Sequence, residues 1–218
     1  MPQSTTTKPA LKSEQIRAMK SYYHFHAKIY DLTRWSFLFG RHQIIHDLGK
    51  SDIKPKKILE VGCGTGYNTR LLIEQFPEAH LLALDVSAEM LEKAIAKTAQ
   101  LSPKVEFINQ PYTFGDTTYH KQLDIILFSY SLTMINPQWE SLIIQASRDL
   151  KPGGIIAVVD FHNAPFQWFK SHMQNNHVRM EGHILPVLQR RFISIKEQIH
   201  PAYGGIWKYF TFMGMKAY

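Results

Sequence analysis

The stretch Ile58-Leu59-Glu60-Val61-Gly62-Cys63-Gly64-Thr65-Gly66-Tyr67-Asn68 decides how this chain is read. A short apolar run with β-branched residues carries an acid and passes into three glycines at alternate positions. The pattern predicts a buried strand over Lys57–Gly62, a glycine turn, and a helix over Asn68–Phe76 that Pro77 stops. Glycine in such a turn adopts positive φ and lets a ligand lie directly against the backbone.

Working outward, strands and helices alternate. His80–Asp85 reads as the second strand, again ending in an acid, and Ser87 as the N-cap of a helix over 88–100. Lys104–Asn109 and Leu123–Ser129 are the third and fourth strands. Pro137–Leu150 is the next helix, and Lys151-Pro152-Gly153-Gly154 a turn into the fifth strand, Ile155–Phe161. Such alternation implies right-handed βαβ units and a parallel sheet in an α/β fold. The unbroken apolar run Ile155–Val159 fits a strand covered on both faces. After Asn163 the pattern changes to a Trp/Phe helix and a helix near 178–190. Two β-like runs follow, Phe192–His200 and Ile206–Met213, divided by a hairpin-like break at Pro201–Gly205.

On the N-terminal side, residues 1–11 are rich in Thr, Pro and Lys and are expected to be disordered. Ser13 is placed to cap a helix carrying Ile16, Met19, Tyr22, Tyr23, His26 and Tyr30, and a second helix is expected to run to Leu48 and close at Gly49. The aromatics between Tyr22 and Phe39 either bury these helices against the core or form a lid over a substrate with an apolar part. One domain over 12–218 is expected, with a helical lid over 12–50 and an α/β core over 56–218.

Composition narrows the class. At 44% hydrophobic and 20% charged residues, the 218-residue chain suits one α/β domain, with barely room for two. No apolar run reaches the roughly 18 residues a membrane span needs, and the first residues lack a signal core, so a cytoplasmic location is expected. A single cysteine, Cys63, precludes an internal disulfide. The formal charge of +7 is dispersed, with no basic arm for nucleic acid, and a nucleic-acid partner is not expected. The eleven histidines show no His-Glu-x-x-His pattern, so no metal site is expected.

The glycine loop is the default ligand site of such a sheet. A dinucleotide fingerprint would need a third glycine at 67, where Tyr67 stands, and a P-loop would need Gly-Lys-Ser/Thr, which is missing. Glu60 is a poor neighbour for pyrophosphate and a good one for a cation. Asp85, nineteen residues after Gly66, is placed to hold ribose hydroxyls. The pocket therefore wants a ribose, a positive centre and no phosphates, which describes S-adenosyl-L-methionine.

Glu60-Val61-Gly62-Cys63-Gly64-Thr65-Gly66, the acid Asp85 and Leu150-Lys151-Pro152-Gly153-Gly154 resemble the motifs of class I methyltransferases over residues 57–161. The resemblance implies a three-layer Rossmann-like sheet, mostly parallel with an antiparallel C-terminal hairpin, plus N-terminal helices. It also implies S-adenosyl-L-methionine as cofactor and S-adenosyl-L-homocysteine as product. Gly62, Gly64 and Gly66 would admit the methionine part, with Cys63 a small packing residue between them and Asn68 opening the helix behind. Glu60 would steady the loop, Asp85 hold the ribose, Val86 and Met90 flank the adenine, and Phe128 and Ser129 meet the amino-acid end. Where the family commonly has Gly-Asp-Ala after the third strand, this chain has Gln110-Pro111-Tyr112, so Gln110 or a backbone group is expected to take the adenine contact.

No Asn-Pro-Pro-Tyr or Asp-Pro-Pro-Tyr follows the fourth strand, which argues against methylation of adenine or of glutamine amides. Three segments resemble the bacterial diacylglycerylhomoserine N-methyltransferases of betaine-lipid synthesis: Phe128–Ile135 with Pro137 and Trp139, Tyr30–Arg41, and, more weakly, Gly205–Phe210. That resemblance implies successive N-methylation of a lipid headgroup amine, with possible contact at an anionic membrane surface. Tyr22, Tyr23, Tyr30, Trp35 and Tyr130 offer aromatic faces for a quaternising amine, and Arg34 or Arg41 a fork for a carboxylate. Tyr23, His26, Tyr130 and His162 are candidate proton relays. Phosphatidylethanolamine, a quinone precursor or a small soluble amine are alternative acceptors. A non-catalytic nucleotide-binding protein that meets RNA through its basic surface is the alternative from another class.

Overall fold

The structure, a computed structural model, describes residues 37–98, 100–101, 104–175 and 178–218. The helix expected from Ser13 lies outside these residues, and with it Tyr22, Tyr23, His26, Tyr30, Arg34 and Trp35.

Five parallel strands form the centre of one sheet: β1 (Lys57–Val61), β2 (His80–Leu84), β3 (Val105–Ile108), β4 (Leu123–Ser129) and β5 (Leu150–Asn163). The hairpin β6 (Ile193–Ala202) and β7 (Trp207–Met215) completes it, β7 running antiparallel to both β5 and β6. The order is β3-β2-β1-β4-β5-β7-β6, so the chain reverses direction across the sheet between β1 and β4. This is the Rossmann-like class I arrangement, with helices on both faces.

The period of two along each strand assigns the two faces. Leu59, Val61, Leu82, Leu84, Ile126, Phe128, Ile156 and Val158 share one apolar cluster with Leu142, Ile143 and Ala146 of α4 (Trp139–Asp149) and Leu185 and Leu188 of α6 (Ile184–Arg191). Ile58, Leu81, Ile125, Leu127, Ala157 and Val159 share another with Ile44, Ile45 and Leu48 of α1 (Arg41–Gly49) and Leu71, Leu72 and Ile73 of α2 (Tyr67–Gln75). Each fully buried Leu or Ile contributes about 1.5–3 kcal/mol. The remaining helices are α3 (Ala88–Thr98) and α5 (Gln167–Asn175).

Three boundaries differ from expectation. Helix α1 buries three aliphatic side chains in the core, so Arg41–Gly49 is part of the α/β layer and the expected division at residue 50 falls inside packed structure. Gly49 is the last helical residue rather than a left-handed stop, and a Cβ there would meet the Gln75 side chain. The Lys151–Gly154 segment is not a turn before β5 but its first part. Leu150 pairs with Leu123, and Gly153 and Gly154 exchange backbone hydrogen bonds with Lys216. No helix among the described residues is long and apolar enough to cross a membrane.

Candidate active site

The switch point falls at the C-terminal ends of β1 and β4, where an open α/β sheet leaves a crevice. Val61 pairs with Phe128 there, so the glycine loop leaves β1 beside the end of β4. The N–H groups of Gly62 and Cys63 both donate to the Leu84 carbonyl, at 2.8 and 2.9 Å, and tie the loop to the end of β2.

All three glycines are left-handed, with φ of 76° at Gly62, 55° at Gly64 and 79° at Gly66. Their reasons differ. A Cβ at Gly62 would come within 3.1 Å of Ser131 Cβ, in the turn after β4. A Cβ at Gly66 would come within 3.0 Å of the Ala94 backbone, so this glycine serves the close approach of α2 and α3. Cys63 is buried with Ala83 and Leu91, and burial and the nearby carboxylates push its thiol pKa up, as suits a packing residue.

Asp85 ends β2 as a buried carboxylate whose two oxygens each accept a backbone N–H, from Gly64 at 2.8 Å and from Ser87 at 2.9 Å. One side chain thus joins the glycine loop to the start of α3. Ser87 caps that helix, accepting from the Met90 N–H at 3.3 Å. Met90 is buried beneath, and Val86 is half-buried beside Asp85.

Glu60 is fully buried, and its Oε2 accepts the Thr69 hydroxyl at 2.6 Å. Loss of solvation pushes its pKa up to about 7, offset in part by Thr69 and Asn68 and raised further by Asp85. Its Oε1 is buried without a hydrogen-bond partner among the described residues, as are Asn68 Oδ1, Ser129 Oγ and Ser131 Oγ. Arg41, at the start of α1, lies close enough to Glu60 to lower its pKa, and its guanidinium sits 3.9 Å above the Tyr67 ring. A buried carboxylate oxygen, an Arg and a row of unpaired hydroxyl and amide oxygens therefore border the loop.

The other expected residues separate into groups. Phe128 and Ser129 are buried at the end of β4, Phe128 within the core. Gln110 is exposed, and its side chain hydrogen-bonds the Tyr119 hydroxyl. Tyr112 turns inward and donates to Asp149 at 2.6 Å. Tyr130 does not present an aromatic face. It is buried at φ 53°, its ring edge against Phe161, and its hydroxyl donates to the Phe39 carbonyl at 2.8 Å. Burial and the Asp160 carboxylate push its pKa well up, an unsuitable setting for a proton relay. His162 is not beyond β5 but within it, packed beside Phe210 and Gly182 rather than on the glycine loop, and burial pushes its pKa down.

One buried acid near the site was not singled out in the sequence. Asp160, fully buried in β5, accepts the Thr133 hydroxyl at 2.5 Å and its N–H at 3.2 Å, and burial pushes its pKa up to about 6. It holds the 3₁₀ turn Leu132–Met134 over the end of β4. In sequence it is one residue inside the expected fifth strand, and only the β4–β5 pairing shows which turn it anchors.

Residues 58–154 match the methyltransferase-domain family. The chain is 31% identical over 150 residues to the malonyl-[acyl-carrier protein] O-methyltransferase of Priestia megaterium, covering 68% of this chain and 53% of that protein. It is 32% identical over 101 residues to the trans-aconitate 2-methyltransferase of an Azoarcus species, covering 46% of this chain and 37% of that one. The chain thus spans about half or less of the curated relatives it matches. Among solved structures, the 1,6-didemethyltoxoflavin-N1-methyltransferase of Burkholderia thailandensis, with bound S-adenosylhomocysteine, superposes with a TM-score of 0.70 at 15% identity. The superposition covers 100% of this chain and 94% of that one.

Proposed function

Residues 58–154 being a class I, S-adenosyl-L-methionine-dependent methyltransferase domain, we propose that the chain transfers the methyl group of S-adenosyl-L-methionine to the carboxylate of a small or carrier-linked acid. The cofactor supplies an electrophilic methyl on a sulfonium; the chain supplies position and charge. The observation that carries the reading is the paired carboxylates at the strand ends, Glu60 with an unpartnered buried oxygen and Asp85 bonded to both the glycine loop and α3.

Asp85, its position already fixed by two N–H donors, accepts from a ribose diol with the remaining lone pairs of its oxygens. Glu60 Oε1 takes the α-ammonium. In an amino acid the carboxylate lies next to the ammonium, so Arg41, the cation beside Glu60, takes that carboxylate. Gly62 lets the methionine part lie on the loop backbone, Cys63 and Gly64 keep the turn tight, and Asn68 borders the amino-acid end. Val86 and Met90 flank the base, Gln110 closes its far side, and Ser129 borders the amino-acid end, with Phe128 packed in the core beneath it. Asp160, through Thr133, keeps the turn after β4 in place.

Methyl transfer from a sulfonium is an in-line displacement in which positioning supplies most of the barrier reduction. A carboxylate acceptor is unprotonated at neutral pH and asks for no base. The names of the malonyl and trans-aconitate relatives favour this acceptor class.

The second reading is N-methylation of a lipid headgroup amine, with diacylglycerylhomoserine as the type. Its support is the aromatic content between Tyr22 and Trp35 and the exposed Phe166 and Trp168 in the segment following β5. Under it Tyr23, His26 and Tyr30 deprotonate and cradle the amine and Arg34 holds the headgroup carboxylate. Labelled S-adenosyl-L-methionine, offered with malonyl-carrier protein, trans-aconitate and a total lipid extract, separates the two. Label released as methanol by mild alkali marks a carboxyl ester and supports the first reading; alkali-stable label in the lipid phase overturns it in favour of the second.

A further inference from the structure

Between α1 and β6 lies a groove of about 510 Å³, lined by no residue of the glycine loop, that the methyl-transfer reading does not use. Arg41 points to Tyr67 and Glu60, whereas its neighbour His42 lines the groove together with Gln43, Lys196, Gln198, His200 and Tyr209. The hairpin brings these residues together. Lys196, Gln198 and His200 pair with Met213, Thr211 and Tyr209 of β7, so all three stand on the face of the sheet that α1 covers. The edge strand β6 thereby turns a row of polar donors toward the helix.

The lining carries one lysine, two imidazoles, two amides and a phenol. Behind it the buried Asp47 has one oxygen, Oδ1, engaged by Lys196 Nζ at 2.8 Å and by Gln43 Nε2 at 2.8 Å, while Oδ2 has no hydrogen-bond partner among the described residues. His200 stacks on Tyr209, with ring centroids 4.9 Å apart and planes 21° from parallel, and its Nε2 is buried without a hydrogen-bond partner among the described residues. His42 stacks in turn with His46, one turn further along α1. Gly40 admits the Tyr209 ring: it is left-handed, and a Cβ would fall 2.6 Å from that ring. An imidazole with a buried, unpartnered nitrogen, a second imidazole, a lysine and two amides around one groove form a donor set for an oxyanion. The volume lies within the range of ordinary ligand sites, roughly 300–1,000 Å³.

We propose that this groove between α1 and β6 is a second ligand site, separate from the glycine loop, which binds the carboxylate or phosphate group of a small metabolite through His42, Lys196, Gln198 and His200. The site needs no bound S-adenosyl-L-methionine, and it stands whether or not the methyl acceptor is correctly assigned.

Isothermal titration of the full chain with potassium phosphate and, separately, potassium acetate tests it, with ionic strength held constant by potassium chloride. Two variants accompany the wild type. Gln198→Glu places a like charge at an exposed strand position, and His200→Ala removes the stacked imidazole; a urea midpoint close to wild type identifies a folded variant. Saturable binding of either probe, weakened about tenfold or more in Gln198→Glu and reduced in His200→Ala, supports the proposal, and the tighter probe identifies the oxyanion. Absence of saturable binding overturns it. So does equal binding by the wild type and a folded Gln198→Glu, because the anion would then sit elsewhere.

Discussion

The Tyr130 hydroxyl donates to the Phe39 carbonyl at 2.8 Å, spanning 91 positions of sequence. This bond fastens the residue that follows β4 to the segment leading into α1. Tyr130→Phe leaves a carbonyl without its donor, at a cost of about 1–3 kcal/mol. Urea denaturation should show this loss while S-adenosyl-L-methionine affinity stays near wild type. If the pH profile of turnover shifted with stability unchanged, Tyr130 would be a proton-transfer residue after all.

Glu60 links stability to pH. Its folded pKa of about 7 lies above the ordinary value of 4.5, so between those limits the folded state binds more protons than the unfolded. Stability of the cofactor-free protein therefore falls as pH rises from about 4.5 to 7, by on the order of 3 kcal/mol from this group. Asp160, raised to about 6, adds a contribution of the same sign. Glu60→Gln should flatten the fall, measured as denaturation midpoint against pH. The same variant should weaken cofactor binding, since the α-ammonium loses its counter-charge.

Gly66 serves the packing of α2 against α3. Gly66→Ala forces an L side chain into φ 79° and against the Ala94 backbone. The expected loss is about 1–3 kcal/mol, from the left-handed backbone and the crowded contact. Ala94→Gly should recover only part of it, because it makes room without relieving φ. Full recovery by Ala94→Gly would show that crowding is the whole effect.

Asp85 holds the loop and, in the proposed function, the ribose as well. Asp85→Ala removes the acceptor for the Gly64 and Ser87 N–H groups together with the diol contact. Titration with S-adenosyl-L-methionine should show binding weakened by at least about a hundredfold, two or more charge-assisted hydrogen bonds being lost. Asp85→Asn keeps one acceptor oxygen and should fall between. Tyr30→Phe and Arg34→Ala, in the aromatic N-terminal segment, should spare cofactor binding and lower turnover. Equal loss of cofactor affinity in all of them would remove the acceptor-side role of that segment.

Most of the architecture was legible because its signals are local. Short apolar runs, the Ser87 cap and the break at Pro201–Gly205 each depend on residues close in sequence, and they predicted β1 to β4, α3 and the β6–β7 hairpin. The bounds of β5 were not legible, because Pro152 and two glycines resemble a turn until Leu123 and Lys216 are seen to pair with that segment. Helix α1 was assigned to a lid because aromatic neighbours masked the Ile44, Ile45 and Leu48 stripe that buries it.

By itself the sequence determined the glycine loop and the acids at 60 and 85, and through them the expectation of a pocket for a ribose and a cation. These follow from spacing along one βαβ unit, where near neighbours in sequence are neighbours in space. Only the tertiary structure decided what each element is for. Gly66 accommodates α3, Tyr130 anchors Phe39, Asp160 holds the turn after β4, and β6 turns its donors toward α1. Each of these joins residues far apart in the chain. Their identity is set by burial and strand register, and no local pattern encodes either.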